Sequence, residues 1–102
     1  MFGLKQEHID QINACFAQYP AIIEVTIYGS RAIGNYRQGS DIDLTITDSG
    51  LSNTELTQLE NKLDDLLLPY KIDLSLRAEI SNKDLLEQIE ETGKVFYERL
   101  IN

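Results

Sequence analysis

The chain has 102 residues, which is room for one domain with a modest core. Hydrophobic residues make up 42% of it and charged residues 25%, which is typical of folded globular proteins and excludes a disordered chain. Its aliphatic runs are far shorter than the roughly 20 residues that cross a bilayer, so we expect no membrane interaction. The first residues lack the pattern of a secretory signal. We therefore expect a cytoplasmic protein with a single domain over residues 1–102.

The charge of the chain is strongly acidic. Nine Lys and Arg residues stand against seventeen Asp and Glu, for a net charge of -8. Because phosphate backbones would be repelled, we expect no direct binding of nucleic acid. An acidic surface suits a basic protein partner or divalent cations, although solubility is its commonest consequence. The single cysteine, Cys15, lies in a helical pattern beside Ile12 and Phe16, which predicts a small buried residue rather than a nucleophile.

Hydrophobic periodicity predicts the elements of the first half of the chain. Apolar residues at three- and four-residue spacing predict a helix over 5–18. A β-branched and aromatic run over 22–28 predicts a strand. A short helical turn follows from Ser30, and Gly34 closes it. Polar and apolar residues then alternate over 41–47, which indicates a strand with one buried face.

The second half of the chain repeats these patterns. Ser52 begins a capping box and therefore a helix. A strand with the same alternation follows over 71–76, and Ser81 caps a last helix that ends at Gly93. Residues 95–97 form a short apolar end. The sum predicts an α+β fold, with a small mixed β-sheet and helices packed mainly on one face.

Three aspartates in predicted strands carry the candidate chemistry. Residues two apart on a strand point to the same face, so Asp41 and Asp43 converge while Ile42 turns to the core. Two carboxylates so close repel each other, and hard oxygen ligands of this kind suit Mg²⁺. Asp73, on the third strand, would complete a two-metal clamp for in-line phosphoryl displacement.

A Gly-Ser turn after the first strand supplies a candidate phosphate site. Gly29 allows close approach of backbone to a ligand, Ser30 offers a hydroxyl and amides at a helix start, and Arg31 adds charge. The segment from Gly29 lacks the lysine of a P-loop, and the strand with the paired aspartates lacks the turn glycine of an EF-hand. Alternatively, each of these residues belongs to an ordinary turn or a solvated strand face. That interpretation explains the three aspartates poorly, since Asp is depleted in strands.

These residues together resemble a known signature. Gly29 and Ser30, then ten residues, then Asp41-Ile42-Asp43-Leu44, and later Ile72-Asp73-Leu74, resemble the pattern of the DNA polymerase β-type nucleotidyltransferase superfamily. The chain size and the run over 28–32 are similar to the minimal nucleotidyltransferase (MNT) family. Its members are typically encoded beside a helical HEPN-domain protein and act as the antitoxin of a toxin-antitoxin pair.

The resemblance implies a polymerase β-like fold and transfer of AMP from ATP onto a hydroxyl of the HEPN partner. It implies two Mg²⁺ ions with Asp41, Asp43 and Asp73 as their ligands and catalytic residues, Asp73 also serving as base. It further implies that the nucleotide is contacted by Gly29, Ser30, Arg31 and Ser40. This sequence has Ile33 where many relatives carry arginine.

Two other functions stay open at this point. The same fold could serve as a non-catalytic antitoxin that neutralises its partner by occlusion, although intact aspartates favour catalysis. Nucleotidyl transfer to a small cationic molecule such as an aminoglycoside is the other alternative, and the acidic charge would attract it. The sequence leaves both a homodimer and a hetero-oligomer open.

Overall fold

The structure is a computed structural model that describes residues 1–47 and 50–100. Its elements in chain order are α1 (Gln6–Ala17), β1 (Glu24–Tyr28), α2 (Ser30–Ile33), β2 (Ile42–Thr47), α3 (Asn53–Asp65), β3 (Ile72–Leu76), a 3₁₀ turn (Arg77–Glu79), α4 (Lys83–Thr92) and β4 (Lys94–Glu98). The helices and the first three strands lie where periodicity predicts them, with bounds within two residues for the strands.

The four strands form one mixed sheet in the order β3-β2-β1-β4. β1 pairs antiparallel with β2 and with β4, whereas β2 pairs parallel with β3. The parallel pair needs a crossover connection, and α3 provides it. Strand β4 forms where the sequence predicts only a short apolar end over 95–97. The predicted α+β fold with a small mixed sheet is confirmed.

The two faces of the sheet differ in chemistry because side chains alternate along each strand. The apolar face packs against α1 and α3 to form one core; its most deeply buried members include Ile12, Phe16, Ile27, Leu44 and Leu59. Strand register places polar residues together on the other face, among them Thr26, Tyr28, Asp43, Thr45, Asp73 and Ser75. The predicted burial of Cys15 is confirmed.

α4 covers part of the polar face. Its Ile89 is buried but lies outside the main core. Gly93 follows α4, and a Cβ there would lie 2.7 Å from Cγ2 of Thr26. Thr45, which pairs with Thr26, is fully buried, whereas Asp73 is exposed. The polar face is therefore closed at its middle and uncovered at the end where β2 and β3 begin.

Two helix caps show how local chemistry sets the boundaries. Ser52 forms the predicted capping box with Glu55, in which each side chain accepts from the other residue's backbone N–H. The cap of α4 is Asn82 and not Ser81 as predicted. The Asn82 side chain accepts from the N–H of Leu85, three residues on, and Ser81 lies one residue too early for that contact.

Within the part of the chain that the structure describes, no helix has the length and apolar character needed to cross a membrane.

Candidate active site

The three aspartates lie on the uncovered end of the polar sheet face. Asp43 is directly opposite Asp73 in the parallel pairing of β2 with β3. Asp41 stands two residues before Asp43, just ahead of β2, and therefore points to the same side. On the other flank, Asp43 is opposite Tyr28 of β1. Asp43 thus lies near both Asp41, its neighbour along the chain, and Asp73, which the sheet pairs with it from 30 residues away in the sequence.

The carboxylates repel one another. Burial raises the pKa of Asp43 above its ordinary value, and the charges of Asp73 and Asp41 raise it further. Asp43 is half-buried, while Asp41 and Asp73 are exposed. Within residues 1–47 and 50–100, no Lys, Arg or His side chain forms an ion pair with any of the three. The cluster therefore carries negative charge that the described residues leave uncompensated.

The donor set of this cluster fits a hard divalent cation. Three carboxylates on neighbouring strands offer the oxygen ligands that Mg²⁺ prefers. Among the described residues, no group of three or more His, Cys, Asp or Glu side chains is arranged as a cage that could hold a metal ion. Mg²⁺ does not need such a cage, because it usually keeps several waters and shares phosphate oxygens of a substrate. An open group of carboxylates is therefore compatible with a nucleotide-bound ion.

Gly29 brings backbone against this cluster. Its φ of +77° and ψ of -155° lie in a region that essentially only glycine adopts. A Cβ at this position would lie 2.5 Å from Oδ2 of Asp43, so a side chain would collide with the carboxylate. The backbone conformation therefore requires glycine, and a side chain here would also displace the Asp43 carboxylate. Gly29 therefore lies against Asp43, one of the candidate cation ligands.

Ser30 begins α2, which has a single turn. The first backbone N–H groups of a helix have no acceptor within the helix. Those of Ser30 and Arg31 can therefore donate to a ligand. Gly34 ends the turn, as predicted, and adopts the left-handed conformation. One turn carries only a small dipole, so any attraction for phosphate depends on these local amides and the Ser30 hydroxyl.

Arg31 and Ser40 face each other rather than open space. The Arg31 side chain is buried, and its guanidinium donates to the backbone carbonyls of Phe2, Gln38 and Ser40. The Ser40 hydroxyl accepts from the N–H of Arg37 at 2.8 Å. Direct contact between Arg31 and nucleotide, as implied by the resemblance, does not fit this burial. Ser40 shapes the loop that leads into Asp41.

Tyr28 is a site residue that the sequence analysis missed. It is 8% exposed, and burial raises the pKa of its phenol, with the Ser75 side chain acting in the opposite direction and Asp43 and Asp73 raising it further. The signal was available in the alternation of the first strand, because Tyr28 follows Thr26 by two residues and must share its polar face.

The whole-chain comparison identifies the family. Residues 10–101 match the sequence model of a family that is described as "Polymerase beta, Nucleotidyltransferase". The chain belongs to this nucleotidyltransferase family. The predicted membership of the polymerase β-type superfamily is thereby confirmed.

Solved structures of toxin-antitoxin complexes share this nucleotidyltransferase fold. A toxin-antitoxin crystal structure with AMP-PNP matches with a TM-score of 0.69 and 23% identity, over 94% of this chain and 75% of that one. A tri-AMPylated Shewanella oneidensis HEPN toxin in complex with MNT antitoxin matches with a TM-score of 0.66 and 20% identity, over 94% and 74%. An MntA-HepT toxin-antitoxin structure gives a TM-score of 0.66 and 21% identity, over 93% and 74%. No curated protein matches the sequence at a significant level.

Proposed function

We propose that this nucleotidyltransferase moves AMP from ATP onto a hydroxyl of a HEPN-type protein partner and so acts as its antitoxin. The observation that carries the proposal is the uncompensated cluster of Asp41, Asp43 and Asp73 beside the Gly29 turn. Family membership supports nucleotidyl transfer as the reaction class. The AMP-PNP complex and the AMPylated HEPN toxin among structures of the same fold support ATP and the partner class.

The site residues divide into ligands for cations and contacts for nucleotide. Asp41, Asp43 and Asp73 would hold two Mg²⁺ ions. When bound, these ions supply charge neutralisation at the phosphates and lower the pKa of an acceptor hydroxyl. Ser30 and the backbone at Gly29 would receive the triphosphate, because they present amides and a hydroxyl next to the carboxylates.

We assign Asp73 the role of base. It is exposed on β3, an edge strand, so an acceptor on another molecule can reach it. In the proposed step Asp73 takes the proton of the acceptor hydroxyl, whose oxygen forms a bond to the α-phosphorus of ATP. The bond between the α-phosphorus and its bridging oxygen breaks, and pyrophosphate leaves. Asp43 is half-buried, and we assign it the role of a cation ligand rather than a base.

The test combines the purified chain, ATP labelled on the α-phosphate, Mg²⁺ and the HEPN-domain protein encoded nearby. We expect label on the partner, a mass increase of one or more AMP units, and loss of the partner's toxicity. Neutralisation without label would instead support the non-catalytic binding module. A parallel reaction with an aminoglycoside tests the small-molecule alternative, and label on that acceptor but not on the protein would reject the proposal.

A further inference from the structure

Arg31 is a buried cation next to the site. It is 2% exposed and is the one charged side chain among the buried residues of the described chain. No Asp or Glu within residues 1–47 and 50–100 forms an ion pair with it. Burying a charge without an opposite charge is costly, so the surrounding contacts must be well ordered to retain it.

Backbone carbonyls and aromatic rings replace the missing anion. Nε and Nη2 of Arg31 both donate to the carbonyl of Ser40, at 3.1 and 2.9 Å. Nη1 donates to the carbonyl of Phe2 at 3.0 Å, and Nη2 also reaches that of Gln38 at 3.4 Å. The guanidinium lies 5.2 Å from the ring centre of Tyr36 and 5.1 Å from that of Tyr70. Such contacts with ring faces stabilise a cation.

These contacts join three segments that lead into the site. Arg31 itself follows Ser30, and the doubly bonded Ser40 carbonyl immediately precedes Asp41. Tyr70 lies just before β3, which carries Asp73. Next to Tyr70, the carbonyl of Lys71 accepts from the N–H of Ile42 at 2.8 Å, so the starts of β2 and β3 are also bonded to each other.

We propose that Arg31 is a positioning residue, which fixes Asp41 and Asp73 relative to Ser30 without touching the substrate. The activity part of this inference rests on the proposed function. Two donors on one carbonyl restrict the rotation of the Ser40 peptide, and that peptide sets the direction in which Asp41 leaves the loop. The planar guanidinium can meet this carbonyl twice and still lie against both rings, whereas lysine cannot.

Kinetics of Arg31→Lys separate positioning from phosphate binding. The variant keeps the charge but loses the paired bonds to Ser40. We expect kcat for AMP transfer to fall about 10- to 100-fold, because displacements of about 1 Å have effects of this size, while KM for ATP changes by less than about threefold. A KM that rises more than about tenfold at unchanged kcat would show direct nucleotide contact and overturn the proposal. An unchanged kcat and KM would also overturn it.

Tyrosine variants provide a matched pair that does not alter Arg31. Tyr36 and Tyr70 contact the guanidinium at nearly equal distances, but only Tyr70 adjoins β3. We expect Tyr70→Leu to lower kcat about tenfold and Tyr36→Leu to change it by less than about threefold. Equal effects of the two variants would contradict the proposed coupling to Asp73. This pair keeps the inference testable if Arg31→Lys folds poorly.

Amide chemical shifts test the inference without any activity. We expect ¹⁵N-¹H spectra of Arg31→Lys to show changes at Asp41, Ile42 and Asp73 as well as beside the substitution. Changes confined to residues 29–33 and the Phe2 region would overturn the positioning role. Because these spectra need neither ATP nor partner, failure of wild-type transfer would count against the proposed function while the shifts still decide the role of Arg31.

Discussion

Two charged regions of this site differ in how their charge is compensated. Burial and the charges of Asp73 and Asp41 raise the pKa of Asp43, yet no cation within residues 1–47 and 50–100 forms an ion pair with any of these three carboxylates. Arg31, adjacent to Ser30 in the sequence, is buried and bonded to carbonyls. An ion pair between the two regions would have neutralised both. Because the two regions are separate, the carboxylates remain available for Mg²⁺, and Arg31 instead bonds the loop that carries Asp41.

Removing a carboxylate tests most directly whether the acidic region binds the cations. Asp43→Ala should lower AMP transfer by about 10³-fold or more, because a central ligand for the cations is lost. The fold should persist, since the change also removes a repelling charge. Rates of label transfer and circular dichroism measure the two effects. Asp65→Ala, which removes an exposed carboxylate at the end of α3, is the matched control. Transfer at the wild-type rate in Asp43→Ala would refute the assignment.

The carboxylates could be predicted because strand geometry is local. A period of two residues fixes the face of Asp43 and Asp73 from the sequence alone. The pairing of β2 with β3 then brings them together, and the pairing follows from a short helical crossover. The same locality predicted that Gly34 ends the helical turn and that a capping box begins at Ser52.

Features that depend on distant parts of the chain could not be predicted in this way. β4 is stabilised by pairing with β1, about 70 residues earlier, and its own five residues carry a weak pattern. The burial of Arg31 depends on Phe2, Ser40 and Tyr70, which have no shared sequence pattern. The residues around Arg31 predict that its charge binds phosphate. In the structure its guanidinium instead contacts backbone carbonyls and the Tyr70 ring.

A second substitution separates holding a cation from taking a proton. Asp73→Asn keeps the shape and one ligand oxygen but cannot act as base. We expect kcat to fall about 10²-fold, with a smaller loss of ATP-Mg²⁺ affinity measured by calorimetry. Equal losses in turnover and binding would make Asp73 a ligand only. If neither changes, the third carboxylate lies elsewhere, and the binding-module alternative gains support.

The contact between Gly29 and Asp43 can be tested against an internal control. Gly29→Ala and Gly34→Ala both place a side chain at positive φ; we expect a loss of about 1–2 kcal/mol of folding stability at the left-handed Gly34 and a larger loss at Gly29, whose backbone conformation is essentially restricted to glycine. A Cβ at Gly34 meets no atom within 4 Å, whereas one at Gly29 meets Asp43. We expect ATP affinity to fall about tenfold only in Gly29→Ala, as measured by calorimetry. Equal losses in the two variants would assign the effect to backbone strain and not to the site.

The smallest expected effect is a pH-dependent gain in stability when Asp43 is neutralised. Folding raises the pKa of this carboxyl above 3.8, first through burial and then through Asp73 and Asp41. The folded state therefore binds the proton more tightly than the unfolded chain. Folding loses stability as the pH rises from the pKa of the unfolded chain through the pKa of the folded state.

At pH near 7 the ionised carboxylate opposes folding, so Asp43→Asn should raise Tm by about 1–3 °C. The change is modest because solvent screens a half-buried group. The gain should shrink as the pH falls through the raised pKa of Asp43, where the wild-type carboxyl takes up its proton. Added Mg²⁺ should stabilise the wild type more than the variant, since only the wild type keeps all three carboxylates. Thermal unfolding at low salt measures each effect, and a variant less stable than wild type at neutral pH would show that Asp43 is compensated by contacts within the protein.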